Sequence, residues 1–570
     1  MECVQIYRKN KSEYIRKEIN MNRNSIITIS LILISYIILF AQPWKIYPYH
    51  KEGTLIYFPR DEGSHSEFNP GSGTEWWYVN MHLEGEITKR EYSAMVAFFN
   101  YNFRIFNITN ETNHEFLSFT DFGSLSSSNT DLNLVFTLLS GGTDHWFTKK
   151  DTQGRLLPFQ YHVEVGDENN NLNIDLDAQK PPLIVGKDGL VTVGSGNSYY
   201  YSQTLLTVTG NLTFKGYLEP VSGKAWIDHQ YGPFFLAPGG DESYEWFSVQ
   251  LDNGMDINIW NIFTKKDKIP NDDSYRICAL YIDDQTQDTT SAFSLTRRFF
   301  WEYDDGRFFS SGWRFIDQIY NINLAIIPNF PNQTVPFFLA PFWEGSCSVN
   351  GLVNGDSVKG LGFAELLHIY ENPKIKLISP NGGDKWDGSQ PIIWTTENPD
   401  DGNPLQYDIY YKQGVEGSQH QIASALSDTS YLWDVSNLVG MDSCFILIVG
   451  YSIDFTIIGV DTSDAMFSIV SPVSLGNFDG LKAIEYTLFQ NYPNPFNPST
   501  KIKFDLPTPE TVKIEIYNII GQKIQTLLNK PMPAGYHEVV FNGQNLSSGV
   551  YLYRIEAGEW QDAKKMILLH

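Results

Sequence analysis

Apolar and polar residues alternate over short runs through residues 47–235. Examples are Glu91-Tyr-Ser-Ala-Met-Val-Ala-Phe-Phe99, Leu132-Asn-Leu-Val-Phe-Thr-Leu138 and Tyr200-Tyr-Ser-Gln-Thr-Leu-Leu-Thr-Val-Thr209. Asp-Gly, Gly-Gly and Asn-rich breaks separate them. A period of two with frequent turn signals predicts an antiparallel barrel or sandwich, and no long amphipathic helix interrupts it. Residues 240–373 repeat the style, with a hairpin expected across Asp252-Asn-Gly254. The stretch from Pro328 to Pro341, with Phe330, Phe337, Phe338 and then Phe342, reads as an aromatic loop. It either caps a pocket or packs on the neighbouring domain. Residues 374–472 carry short strands around Trp386, Trp394 and Trp433, which predicts a separate β-sandwich of about 100 residues. A linker is expected over 473–487 and a last domain over 488–570. The fold class is all-β.

The same alternation sorts the residues that could carry chemistry. In a strand, successive side chains point to opposite faces. In Gly73-Thr-Glu-Trp-Trp-Tyr-Val-Asn-Met-His-Leu-Glu-Gly85, Glu75 and Trp77 share one face and Trp76 and Tyr78 the other, with His82 further along. In Gly223-Lys-Ala-Trp-Ile-Asp-His-Gln-Tyr-Gly232, Trp226 and Asp228 share a face and His229 looks the other way. Each motif sets an acid beside tryptophan. The first and last strands of a closed barrel are neighbours, so the two motifs are expected to meet at one apolar pocket in the first domain.

Composition narrows the classes. Aromatics make up 15% of the 570 residues and charged residues 19%, against a usual charged share of roughly 25%. A formal net charge of −25 argues against nucleic acid and anionic membranes as partners, since both need Lys/Arg clusters. No zinc-type cysteine spacing occurs, and no Gly-rich nucleotide loop. Cys278 and Cys347 fall in one predicted domain and are candidates for a disulfide. Residues 1–41 read as a signal peptide region. A basic stretch leads into the apolar run from Ser25 to Ala41, and Met21 is a plausible start. That run is shorter than the ~20 residues of a spanning helix, so no stable transmembrane anchor is expected.

Several motifs, in order, carry a family resemblance. They are Asp61-Glu-Gly-Ser-His65, Glu75-Trp-Trp-Tyr78 with His82-Leu83, Ala225-Trp-Ile-Asp-His229, Tyr244-Glu-Trp-Phe-Ser-Val-Gln-Leu-Asp-Asn-Gly254 and Gly360-Leu-Gly-Phe-Ala-Glu-Leu366. Over about 47–373 the chain resembles the AttH and carotenoid 1,2-hydratase (hydroxyneurosporene synthase) family. The resemblance implies two tandem lipocalin-like β-barrel domains, 42–235 and 236–373. The 374–472 stretch resembles the immunoglobulin- or fibronectin-like spacers of secreted bacterial proteins. Leu488-Phe-Gln-Asn-Tyr-Pro-Asn-Pro-Phe-Asn-Pro498 and the strands after it resemble the type A C-terminal sorting domain of the type IX secretion system. That resemblance implies a secreted or cell-surface protein of a Bacteroidetes-like Gram-negative bacterium, with the secretion machinery as partner.

If the hydratase resemblance extends to chemistry, water adds across a C=C bond by protonation of carbon. The site then needs an acid kept protonated by apolar burial, aromatic faces for the cation and a base for water. No metal or organic cofactor is required. Asp228 and Glu75 are the candidate acids, and His229, His65 and His82 the candidate bases or supporting groups. Trp76, Trp77, Tyr78, Trp226, Tyr244 and Trp246 are the candidate aromatic wall. The competing reading of Glu75, Asp228 and Glu365 is structural, as buried carboxylates hydrogen-bonded to neighbouring donors. Three classes stay open: a hydro-lyase or isomerase acting on an isoprenoid or lipid-like molecule, a non-catalytic carrier of such a ligand, and a glycan-binding or adhesion protein.

Overall fold

The computed structural model describes residues 42–68, 71–236, 240–264, 268–304, 306–397, 403–438, 440–470, 485–519 and 521–568. The expected signal segment and residues 473–484 of the expected linker lie outside the described residues. Where alternation predicted strands, strands form. Ten of them close into a barrel. They are β1 (Thr74–Gly85), β2 (Glu91–Phe99), β3 (Phe103–Asn110), β4 (Glu115–Ser127), β5 (Asn133–Leu138), β6 (Thr143–Lys150), β7 (Leu156–Gly166), β8 (Asn171–Ala178), β9 (Gly196–Phe214) and β10 (Tyr217–Gly232). Each pairs antiparallel with the next from β1 to β8. Strand β10 pairs back onto β1, and β9 closes the ring by pairing with both β10 and β8. Closure leaves no edge exposed to another chain. Phe136, Trp146, Val163, Ile174 and Leu212 fill the interior. Glycine is required where β1 begins. A Cβ on Gly73 would come within 2.4 Å of the Gly232 carbonyl oxygen.

The second sheet is an open half-barrel. Its main strands are β11 (Glu242–Leu251), β12 (Asp256–Thr264), β13 (Arg276–Asp283), β14 (Thr286–Thr290), β15 (Phe293–Asp304), β16 (Arg307–Asp317), β17 (Ile322–Pro328), β18 (Phe342–Val353) and β19 (Asp356–Leu366). They run in the order β14-β13-β12-β11-β19-β18-β17-β16-β15. One face holds its own core around Phe247, Trp313 and Phe315. The other packs on the outer wall of the barrel. Trp76, Tyr78, Tyr200 and Trp226 of the barrel share one core with Trp246, Trp260, Ile262 and Phe363 of the sheet. Polar contacts cross this junction too: Lys180 Nζ donates to Asp256 Oδ2 at 2.5 Å and Asn80 Nδ2 to Ser248 Oγ at 3.1 Å. Cys278 on β13 and Cys347 on β18 do not form the disulfide considered from sequence. Both are buried free thiols, four places apart in the strand order.

Residues 374–470 form a β-sandwich of a three-stranded and a six-stranded sheet over Trp386, Trp394, Ile409 and Phe467. It docks on the half-barrel. Ile457 enters a small core with Phe263, Phe300, Phe308 and Tyr370, and Asp454 Oδ2 accepts the Phe300 backbone N–H at 2.9 Å. Residues 485–568 form a separate sandwich of three- and four-stranded sheets over Phe504, Ile514, Tyr553 and Met566. Among the described residues no helix is long and apolar enough to cross a membrane.

Candidate functional site

Strand register brings the two acid–tryptophan motifs side by side. Across β1 and β10, Tyr78 pairs with Asp228, Trp77 with His229 and Glu75 with Tyr231. Alternation then sends them to opposite faces of the barrel wall, so Asp228 and His229 part company. This corrects the expectation of a single pocket in the first domain. One set of side chains faces into the barrel near its end, the other faces outward against the second sheet.

The outward set borders an apolar cavity of about 460 Å³ between barrel and half-barrel. Trp76, Tyr78, Phe99 and Phe103 line it from the barrel, and Tyr244 and Glu365 from the second sheet. Phe337, Phe338 and Leu339 of the aromatic loop complete the lining. The loop does both things expected of it. It borders the cavity, and it packs on the barrel, with Phe337 against Phe103 and Phe338 against Phe122, each at 5.4 Å between ring centroids. Phe235, Phe338 and Leu339 are each 60% exposed, so the mouth opens to solvent through apolar side chains.

Behind the lining lies a buried polar network. Tyr244 Oη donates to Glu365 Oε1 at 2.6 Å, and Tyr78 Oη donates to Glu344 Oε1 at 2.7 Å. Glu344 and Glu365 are cross-strand partners on β18 and β19. Burial raises both acids. Glu365 reaches about 7, and Glu344 rises well above the usual carboxylate range, with the neighbouring Glu365 charge adding to it. Two carboxyls in one apolar site cannot both ionise cheaply.

Asp228 sits deeper. Its oxygens accept from Tyr200 Oη at 2.5 Å and Trp226 Nε1 at 2.7 Å, and burial pushes it up to about 6. Tyr200 in turn accepts from Asn258 Nδ2 at 2.6 Å and Trp246 Nε1 at 3.2 Å. These partners tie barrel to half-barrel. At pH 5, where the buried acid keeps its proton, Asp228→Asn is therefore expected to cost roughly 1–3 kcal/mol, the range for disturbing a buried hydrogen bond, with the affinity for an apolar ligand unchanged. Chemical melts and a binding titration of the same variant check it.

The inward set is a different site. His65, Glu75 and His229 converge, with Glu75 Oε1 at 2.9 Å from His65 Nδ1 and 3.2 Å from His229 Nε2. Their donor atoms all lie within 4.8 Å of one another, a spacing that suits a metal ion. Although burial opposes its ionised form, the two histidines hold the Glu75 carboxylate below its ordinary range. His65 is raised, against the desolvation that opposes it, by its bonds to Asp61 and Glu75. His229 is lowered by burial. The rings are held flat: His65 stacks on Tyr231 at 3.5 Å and His229 on Trp77 at 4.9 Å.

The candidates from sequence thus divide. Trp76, Tyr78 and Tyr244 line the cavity, while Trp226, Trp246 and Asp228 support it from behind. Glu75, His65, Trp77 and His229 belong to the inward cluster. His82 joins neither. It lies in the junction near Phe363 at 5.8 Å, where burial lowers it to about 4 and keeps it neutral. Sequence reasoning missed Glu344 and Tyr200. Glu344 follows Trp343, the same acid-beside-tryptophan signal as the other motifs.

A family model described as AttH-like matches residues 49–369, and one described as secretion system C-terminal sorting domain matches 490–569. The sorting domain marks type IX secretion to the cell surface or extracellular space in Bacteroidetes. No curated protein matches the chain. Similar solved structures include a putative AttH from Nitrosomonas europaea, at 21% identity and TM-score 0.44, covering 56% of this chain and 98% of that one. Kievitone hydratase from Nectria haematococca matches at 16% identity and TM-score 0.44, again over 56% and 98%.

Proposed function

The chain belongs to the AttH-like family, and from that premise we propose that it is an exported protein whose junction cavity binds one hydrophobic, isoprenoid or lipid-like molecule and hydrates or isomerises its C=C bond without a cofactor. The observation that carries this reading is the pairing of an apolar cavity of about 460 Å³ with one carboxyl among its described lining residues, Glu365, which burial raises to about 7. The volume is typical of small-molecule sites. A group titrating near the working pH is also the most effective general acid.

In this reading Glu365 protonates an alkene carbon. The resulting cation lies against the faces of Trp76 and Phe99, which favour positive charge. Water adds to the cation and its proton returns to the carboxylate, or a neighbouring C–H proton is lost and the double bond moves. Glu344, kept neutral, and the hydroxyls of Tyr78 and Tyr244 orient Glu365. Asp228 and Tyr200 hold this arrangement in place. A concave site behind an apolar mouth supports a ligand-binding role over the glycan or adhesion reading, which calls for a flat aromatic strip.

The test is lipid extraction from purified full chain, followed by incubation of the extracted class, and of a terminal isoprenoid alkene, in ¹⁸O-labelled water. Incorporation of one labelled oxygen, or a shifted double bond, supports the enzyme. Stoichiometric ligand that is never converted leaves the carrier reading. A fluorescent polyene fatty acid is expected to bind one site, and Phe103→Ala to weaken it about tenfold, the value of roughly 1.4 kcal/mol of lost contact.

A further inference from the structure

The inward cluster poses a hydrogen-bonding problem that points to a ligand. His229 Nδ1 lies 2.8 Å from the Asp61 carbonyl oxygen, which can only accept. Nδ1 therefore carries the proton, and in the neutral ring Nε2 is a bare lone pair. That lone pair faces Glu75 Oε1, another acceptor, at 3.2 Å. His65 also confronts acceptors on both sides, with Glu75 Oε1 at 2.9 Å from Nδ1 and Asp61 Oδ1 at 3.3 Å from Nε2. Something positive must sit among these atoms. A proton shared out as an imidazolium at His229 is a costly answer where its side chain is 0% exposed and Glu75 only 3%.

We propose that His65 Nδ1, His229 Nε2 and Glu75 Oε1 bind a divalent transition-metal ion, with Zn²⁺ the best fit to the donor set. Two imidazole nitrogens and one carboxylate oxygen are ordinary zinc ligands, and such a three-ligand set leaves a fourth position for water. The surroundings have the form of a metal site's outer shell. His229 donates its other ring N–H to a backbone carbonyl, which fixes the tautomer needed to ligate through Nε2. The His65 backbone N–H approaches Glu75 Oε2 at 3.1 Å and helps hold the carboxylate. Tyr231 and Trp77 stack on the two rings and set their planes. A surface cleft lined by Arg60, Asp61, Ser64, His65 and Tyr231 gives a route in from solvent.

The ion would clamp the segment that carries His65 onto β1 and β10, at the wall that the junction cavity shares. It would act on the opposite face from Glu365 and independently of the proposed reaction.

The test uses the full chain, tag-free, stripped with EDTA and dialysed. Zn²⁺ titrated by calorimetry is expected to saturate at one equivalent, to raise the melting temperature and to lose that gain on renewed EDTA. Co²⁺ at the same site should give the visible absorption of a histidine-ligated ion. His65→Gln and His229→Gln are expected to weaken Zn²⁺ binding tenfold or more, while His82→Gln leaves it unchanged. Should buried His229→Gln fail to fold, His65→Gln decides alone, since the His65 side chain is 12% exposed and open to substitution. Absence of saturable Zn²⁺ binding, or equal affinity in His65→Gln, overturns the proposal and leaves a proton-bridged His–Glu–His cluster.

Discussion

The Glu365→Gln chain is expected to melt several degrees above the wild type at pH 8, to lie close to it at pH 5, and to turn over no substrate at either pH. The folded state raises Glu365 from 4.5 to about 7, chiefly by burial. Folding therefore favours the protonated acid. The stability this provides is fully present below about pH 4.5 and is lost as pH rises through about 7. The amount is on the order of 3 kcal/mol, from 1.36 kcal/mol per pH unit, which corresponds to several degrees in a chain of this size. Glutamine keeps an oxygen to accept from Tyr244 but cannot ionise, so it escapes the loss at high pH. It also cannot give a proton to carbon. Parallel melts and assays at the two pH values separate the ideas. A variant that still converts substrate ends the general-acid role, and a variant with the wild-type pH dependence ends the claim that Glu365 is perturbed.

The largest loss of stability is expected from Arg297→Met, at roughly 3–5 kcal/mol, the range for breaking a buried ion pair from one side. Arg297 and Glu245 are 1% and 0% exposed in their side chains. Arg297 Nε donates to Glu245 Oε2 at 2.7 Å, its Nη1 donates to the Leu295 carbonyl at 2.7 Å, and Tyr370 Oη donates to Glu245 Oε1 at 3.0 Å. Removing the guanidinium strands an anion in the second core. Adding Glu245→Gln to Arg297→Met is expected to restore more than half of the loss, because the stranded charge is then gone. Urea unfolding of the four chains of this cycle gives the coupling directly. If Arg297→Met costs less than about 1 kcal/mol, the pair is hydrated in solution and does not organise the sheet.

These two acids mark what could be read from sequence and what could not. Alternation placed Trp76 with Tyr78, and Asp228 opposite His229, because side-chain direction in a strand is a local property. It could not say what covers each face. Trp76 and Trp77 look alike in sequence, yet one faces the half-barrel and the other the barrel interior. The cavity is built from β1, β2, β3, β11, β19 and the aromatic loop, a set brought together only by long-range pairing. The pairing of Glu365 with Glu344, 21 residues earlier, crosses a hairpin whose register no single stretch reveals. The second sheet reads like the first in its alternation, so a closed barrel and an open half-barrel look the same along the chain.

The two faces of β10 have a consequence for how this molecule can vary. Asp228 and His229 are joined by one peptide bond, yet they answer to different neighbourhoods, so point changes at one leave the other intact. A single-residue insertion or deletion between Trp226 and Tyr231 is different. It would shift the strand by one position against β1 and turn every side chain over. Histidine would then meet the oily junction and aspartate the histidine cluster, and both neighbourhoods would fail together. The segment is therefore open to substitution but closed to any change of length. Length variation should gather instead in the turns at its ends, where a slip can be absorbed before it reaches the paired residues.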